Sequence, residues 1–255
     1  MSRIWSIGRH DLRVLRRDPA FLVIMIAMPL VMMLFFKNTF RLSLRAAGYA
    51  QASGVEQAVP GGVVMFSSFL MGNMAFSVFR EHGYGTWDRL RASRASTGEL
   101  LAGKCIVPIA TLAVQTIVLF LAGAAFFGLR VRGSLAGLFL VSVAYWCCLT
   151  AIGLVLLAIC RTIQQVNAAA NVGGMVLSGL GGAFTPISDL PGWARTIAPG
   201  TPHYWAMRGY RSILLDNASI GAVLLPSMVL LVVSALLAGF AVYRFDAGDR
   251  KLSFA

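Results

Sequence analysis

The chain has 255 residues, 58% of them hydrophobic and only 13% charged, with a mean hydropathy of +0.75. A soluble fold of this length could not hide so much apolar surface, and its charged share is about half the soluble norm, so an all-α polytopic membrane protein is the expected class. The formal charge of +12 would suit nucleic acid if it sat on a domain. Here the basic residues lie between apolar runs, where they set membrane orientation, and no nucleic-acid partner is expected.

Six runs free of charged residues and histidine are long enough to cross a bilayer: 19–36, 57–79, 105–129, 133–160, 162–188 and 217–243. The chain is read as one transmembrane domain over 1–255. Ahead of the first run, residues 1–18 place Ile4, Trp5, Gly8, Leu12 and Leu15 at helical spacing, with Arg3, Arg9, Arg13 and Arg16 mostly on other faces. That is an amphipathic helix suited to lying flat among lipid headgroups. Asp18-Pro19 breaks it and turns the chain into the membrane. Arg16-Arg17 faintly resembles an export signal, but no small-residue cleavage site follows and five more runs do, so the first run is read as an uncleaved span. Pro29 and Pro108 kink the first and third spans.

Between the second and third runs lies "REHGYGTWDRLRASRASTGELLAGK", residues 80–104. Gly83 and Gly85 permit a sharp turn. Thr86 is placed to cap a short helix bearing Trp87, Asp88, Arg89, Leu90 and Arg91. Ser96 and Glu99 form a capping box that starts a helix running on into the third span. A short helix between two hinges, with one Trp, one Leu and mixed charge, suits insertion into a cleft on a soluble partner. A solvated loop carrying orienting charge is the alternative.

In the fifth run Ala170, Gly174, Ser178 and Gly182 recur every four residues, a spacing that lets two membrane helices approach closely. Their partner is another span of this chain or a second chain. Ser67, Ser68, Asn73 and Asn171 are polar residues that could line a weakly polar route; hydrogen bonding between helices is the alternative. Residues 186–217 are too polar for a span and too apolar for a free loop. They fit re-entrant or interfacial helices near 190–198 and 202–215, with Trp193, Tyr204, Trp205 and Tyr210 at headgroup depth.

The chemistry is spare. No run holds an acid, a base or a histidine, and His10, His82 and His203 fall in connecting segments. A mid-bilayer charge costs roughly 2.5–3.5 kcal/mol on insertion scales and is kept mainly for function, so an ion-coupled carrier is the weaker reading. No phosphate-binding Gly-Lys loop is present, so the chain is not expected to hydrolyse ATP, and no cofactor or metal is expected. What remains is a passive pathway driven from outside, with a structural membrane subunit as a further alternative. With both ends assigned to the cytoplasm, the inner segments hold five, five, one and three Lys and Arg, and the outer ones three, two and three. That bias puts both termini and residues 80–104 in the cytoplasm.

The 80–104 segment resembles the cytoplasmic segment of type 2 ATP-binding-cassette (ABC) transporter permeases, whose pattern runs Arg-Glu, a Gly-rich turn, a Thr-led short helix, then Glu-Leu-x-x-Gly-Lys. "GGAFTPISDLPGWARTIAPGTPHYWAMRGYRSIL" resembles the same family's signature before the last span. The likeness covers nearly the whole chain and looks closest to the drug-resistance subgroup of daunorubicin-type exporters. Trp87 stands where Leu is usual, and Arg94 where Pro is usual. The resemblance implies a half-transporter in a bacterial plasma membrane. Two permeases, identical or homologous, pair in the lipid bilayer, and two separate ATPase chains bind ATP and Mg. Residues 86–91 would be the coupling helix, with Glu81 at the end of span two, and the pathway would be lined by spans one, two and five. The implied cargo is an amphipathic or lipophilic, drug-like compound, with a lipid or glycan precursor as the alternative.

Overall fold

The computed structural model describes residues 20–92 and 96–245, together with residues 5, 8, 9, 11–13 and 15. Those seven N-terminal positions are helical. The rest of the flat helix expected over 1–18, and residues 246–255, lie outside the described residues.

Helix α1 spans Ala20–Ala46, ten residues past the end of the first charge-free run. Residues 37–46 hold charge but no helix breaker, so the helix continues through Lys37, Arg41 and Arg45 until Gly48, at φ +98°, turns the chain. Helices α2 (Val55–Leu70) and α3 (Asn73–Gly83) together make the second span, kinked at Met71 and Gly72. The start of α2 abuts α1 closely. A Cβ on Gly54 (φ +90°) would collide with the Lys37 carbonyl and lie 2.7 Å from the Arg41 amide nitrogen, so only glycine fits. Gly85, at φ +65°, then swings the chain into the short helix α4 (Trp87–Arg91).

Helix α5 runs Thr97–Phe127. Both halves of its capping box form: the Glu99 amide donates to Ser96 Oγ at 3.2 Å, and the Ser96 amide to Glu99 Oε2 at 2.8 Å. Helix α6 spans Leu135–Ile159 behind a Ser134 cap. The fifth run is helical without a break over 163–180, with a π-helical turn (Ala169–Gly173) between α7 (Ile163–Ala168) and α8 (Gly174–Leu180). It stops there because Gly181-Gly182, the latter at φ +83°, leave the helix eight residues before the run ends. The Pro-broken stretch forms α9 (Gly192–Ile197) and α10 (Pro202–Leu214), near the expected positions. The last helix, α11, spans Leu224–Arg244.

Among the described residues every regular element is helical. Five stretches are long and apolar enough to cross a membrane: Leu22–Ala46, Val55–Gly83, Thr97–Phe127, Leu135–Ile159 and Ile220–Arg244. The second and fourth of these form the core, and α6 packs along most of α11. Helices α1 and α11 are peripheral. They leave Val23, Met28, Phe35, Leu225, Met228 and Leu236 exposed, an apolar surface that lipid or another chain must cover. In the interior, hydrogen bonds join the spans: Ser67 Oγ donates to Gln115 at 2.9 Å, Gln115 Nε2 to the Met25 carbonyl at 2.9 Å, and Trp146 Nε1 to Thr116 at 3.1 Å.

The two ends of the bundle are distinct. At one, Lys104 meets Asp11, and Trp87 meets Phe245. At the other, Ser43 bonds Asp189, and Tyr49 donates to Asp216 at 3.0 Å. The chain near both termini therefore shares an end with residues 80–104, while 37–56 and 189–216 share the opposite end.

Candidate functional site

The final turns of α3 carry Glu81, and the first turns of α5 carry Lys104. Lys104 is 2% exposed. Its ammonium lies 2.8 Å from Glu81 Oε1, and 2.9 and 3.1 Å from Asp11 Oδ2 and Oδ1. One buried cation thus holds together the N-terminal stretch, the end of the second span and the start of the third. A buried ion pair persists only when geometry and added hydrogen bonds offset desolvation, and here two carboxylates share one ammonium. The sequence places Lys104 at the rim of a solvated loop; the fold draws it inside.

The Thr86 hydroxyl turns back to bond the Glu81 carboxylate and lies 3.3 Å from the Glu81 carbonyl. This ties the start of α4 to the charge node. Trp87, expected as an apolar anchor for a partner, is 2% exposed and faces the chain itself. Its ring stacks on His82 (centroids 4.9 Å apart, 25° between planes) and meets Phe245 edge-on at 6.3 Å. Asp88 and Arg89 form the exposed side of α4, while the Leu90 and Arg91 side chains lie outside the described residues. The result is a short helix clamped by a buried ring and rooted in a buried ion cluster.

The small residues of the fifth run find their partner within the chain. A Cβ on Gly72 would lie 3.1 Å from Ala170 Cβ, and one on Gly174 would lie 3.0 Å from Ser68 Cβ. Ser178 Oγ is 3.0 Å from Ser68 Oγ, and the Gly182 carbonyl accepts from Gln57 Nε2 at 2.8 Å. The second span is what these residues pack against. The opposite face exposes Asn171, Val172, Met175 and Val176.

His203 sits at the centre of this junction, not in a loose connection. It is fully buried, with Nε2 2.6 Å from Ser68 Oγ and its ring edge-on to Tyr145 at 5.6 Å. Helix α10 lies outside the five candidate spans, and burial pushes the His203 imidazole down to about 3, so it is neutral. A signal for this was present: His203, Ala206, Met207, Tyr210, Ile213 and Leu214 recur at helical spacing and all point inward. Tyr210 is likewise buried and faces the interior, its hydroxyl 3.0 Å from Ser142 Oγ.

Of the candidate route residues, Ser67 and Ser68 are buried and hydrogen-bonded between helices, Asn73 is half-buried at the start of α3, and Asn171 is exposed, its amide donating to the Asn167 carbonyl at 2.9 Å. The open space lies elsewhere. An apolar pocket of about 140 Å³ opens between α1, α2 and the turn after α8, lined by Met33, Phe36, Phe40, Gly62, Met65 and Phe184 among others.

Comparison with known proteins gives a consistent picture. A family model described as ABC-2 type transporter matches residues 2–215. The chain is 27% identical over 203 residues to the linearmycin resistance permease protein LnrN of Bacillus subtilis (strain 168), covering 80% of this chain and 51% of that protein. It is 27% identical over 189 residues to the probable multidrug ABC transporter permease YbhR of Escherichia coli (strain K12), covering 73% and 51% respectively. The chain thus spans about half the length of the curated relatives it matches. No solved structure matches.

Proposed function

The chain belongs to the ABC-2 type transporter family, and we propose that it is the membrane-spanning permease of an ATP-driven exporter of amphipathic or lipophilic, drug-like compounds. The observation that carries the reading is α4, a short charged helix held by Trp87 and rooted on the Glu81–Lys104–Asp11 cluster at one end of the bundle. In this reading that end is cytoplasmic, the membrane is a bacterial plasma membrane, and residues 162–188 make a sixth, shortened crossing. Two ATPase chains, which bind ATP and Mg, dock on α4. A second permease covers the exposed faces of α1 and α8. The apolar pocket on the first and second spans supports an apolar cargo, as do the relatives' names, one for resistance to linearmycin and one for multidrug transport.

The test is co-purification from native membranes followed by reconstitution. An ATPase chain should travel with the protein, and ATP should drive efflux of an amphipathic dye from the liposomes. Flux that follows an ion gradient and ignores ATP would support an ion-coupled carrier instead.

A further inference from the structure

At the end of the bundle opposite Lys104, α1 carries Lys37 and Arg41 one turn apart on a half-buried surface. Among the described residues neither cation has a carboxylate within ion-pair distance. The acids nearby are already engaged: Glu56 accepts from Ser53, Asp189 from Ser43 and Ser188, and Asp216 from Tyr49. Arg41 also buries its Nε without a hydrogen-bond partner. Across the junction, Gln57 is wholly buried; its Nε2 donates to the Gly182 carbonyl, but its Oε1 has no partner. A buried donor and a buried acceptor left unmade are each unfavourable, so a site that keeps both invites a ligand that satisfies them.

The apolar pocket begins beside these groups. Phe36 and Phe40, which line it, directly precede Lys37 and Arg41 in α1; Gly61, which also lines it, stands one turn from Gln57 on the same face of α2. The pocket reaches from the level of Phe40 to that of Met32, roughly 12 Å at the helical rise. Its depth rests on a glycine: a Cβ at Gly62 would lie 3.2 Å from Pro29 Cβ and 3.4 Å from Met33 Cε. At about 140 Å³ it is smaller than the roughly 300–1,000 Å³ that encloses a whole drug-sized molecule. It fits a hydrocarbon tail, with the polar part left at the rim.

We propose that this is a binding site for an acidic amphiphile: one acyl tail enters between Met33, Gly62 and Met65, an anionic head rests on Lys37 and Arg41, and a hydroxyl of the head donates to Gln57 Oε1. The proposal deepens the export reading by naming its cargo class, and rests on that reading for the statement that the amphiphile is cargo. On the topology proposed above, the head lies at the outer face, where cargo is released.

The purified full chain in liposomes is exposed to two photoactivatable probes with the same diazirine-bearing tail, a lysophosphatidic acid and the corresponding monoacylglycerol. Labelled peptides are located by mass spectrometry. The phosphate probe should label the Met32–Met33 and Met65 segments about tenfold more strongly, as one charge-assisted hydrogen bond predicts. The Lys37→Gln/Arg41→Gln double variant should fall to the neutral probe's level, and Arg41→Lys alone should keep the preference. Equal labelling by both probes in the wild type, labelling confined to other segments, or an undiminished preference in the double variant overturns the proposal. A Met65→Cys variant that forms a disulfide between two copies of the chain under mild oxidation also overturns it, since a second copy would then be the occupant. The readout needs no ATP. Loss of dye efflux with labelling intact would count against the export reading alone, and loss of labelling with efflux intact against this site alone.

Discussion

Lys104 Nζ lies 2.8 Å from Glu81 Oε1, although the residues stand 23 positions apart and bracket the most charged loop of the chain. That contact closes the loop at its base. The strand of sequence that leaves the second span and the one that enters the third are held together under α4, and Asp11 ties the N-terminal stretch to the same point. The single Lys104 ammonium thus links the base of α4 to two spans and to the stretch around Asp11.

Replacing Lys104 by Met should therefore expose the cost of the two carboxylates. Removing one partner of a buried ion cluster strands the remaining charges and typically costs about 3–5 kcal/mol; the 13% and 17% side-chain exposure of Asp11 and Glu81 argues for the lower end. Thermal unfolding of the solubilised protein should shift down clearly in Lys104→Met and recover partly in Lys104→Met/Glu81→Gln, which leaves one carboxylate fewer to desolvate. A single variant as stable as the wild type would show that the cluster carries no stability.

Gly173 and Gly174 make an adjacent pair with opposite surroundings. A Cβ on Gly174 would press on Ser68, whereas one on Gly173 meets nothing within 4 Å. Gly174→Leu should force α8 off the second span and destabilise the fold by about 1–3 kcal/mol, the usual range for overpacking. Gly173→Ala should be neutral or slightly stabilising, since Ala is the better helix former by up to about 1 kcal/mol. Thermal unfolding of each single variant distinguishes them, and similar behaviour of the two would refute close packing at Gly174.

How much of this was legible beforehand differs by element. The Ser96–Glu99 capping box and the Gly85 turn have local rules, and each is found where the rule puts it; of the small residues spaced by four, Ala170, Gly174 and Ser178 share a buried helix face, while Gly182 falls past the helix end. The route residues were harder, because a serine between helices and a serine lining a channel look alike in sequence; Ser67 and Ser68 turn out to bond Gln115 and His203. The burial of Lys104 and Trp87 is not legible locally, for a common reason. Both lie in a charged segment that reads as solvated, and both are buried by partners distant in sequence, Asp11 in one case and Phe245 in the other. His203 lies between Pro-rich flanks that read as a connection, and only the inward periodicity of α10 marks it as buried. The first helix outruns its charge-free run because charge does not stop a helix, whereas Gly48 at φ +98° turns the chain.

The His203 junction predicts a pH dependence. An unfolded imidazole titrates near 6.5, whereas the buried ring titrates near 3. Between those values the unfolded chain binds a proton that the folded chain refuses, so the contribution is fully present above about pH 6.5 and is lost as pH falls toward 3. Thermal stability should decline from pH 7 to pH 5, above the range where most carboxylates titrate. His203→Phe keeps a ring beside Tyr145 and leaves Ser68 bonded to Ser178; it should flatten that slope. An equal slope in wild type and variant would assign the dependence to other groups.

The last prediction separates clamp from docking face on α4. Trp87 is buried between His82 and Phe245, so Trp87→Ala should cost about 3–5 kcal/mol of packing, lower thermal stability and loosen α4 together with whatever binds it. Arg89 is exposed on the same five-residue helix and carries none of that packing. If α4 is where an ATPase chain docks, Arg89→Glu should leave unfolding unchanged within about 0.5 kcal/mol, as surface substitutions do. It should also weaken ATPase binding by about tenfold, which corresponds to roughly 1.4 kcal/mol. The rim position of a charge predicts that most of the loss appears as a slower association rate that high salt abolishes in the wild type as well. The two variants thus have opposite signatures: Trp87→Ala moves stability and binding together, and Arg89→Glu moves binding alone. Arg89→Glu binding the ATPase chain at wild-type rate and strength would remove the exposed side of α4 from the docking surface, whatever Trp87→Ala does.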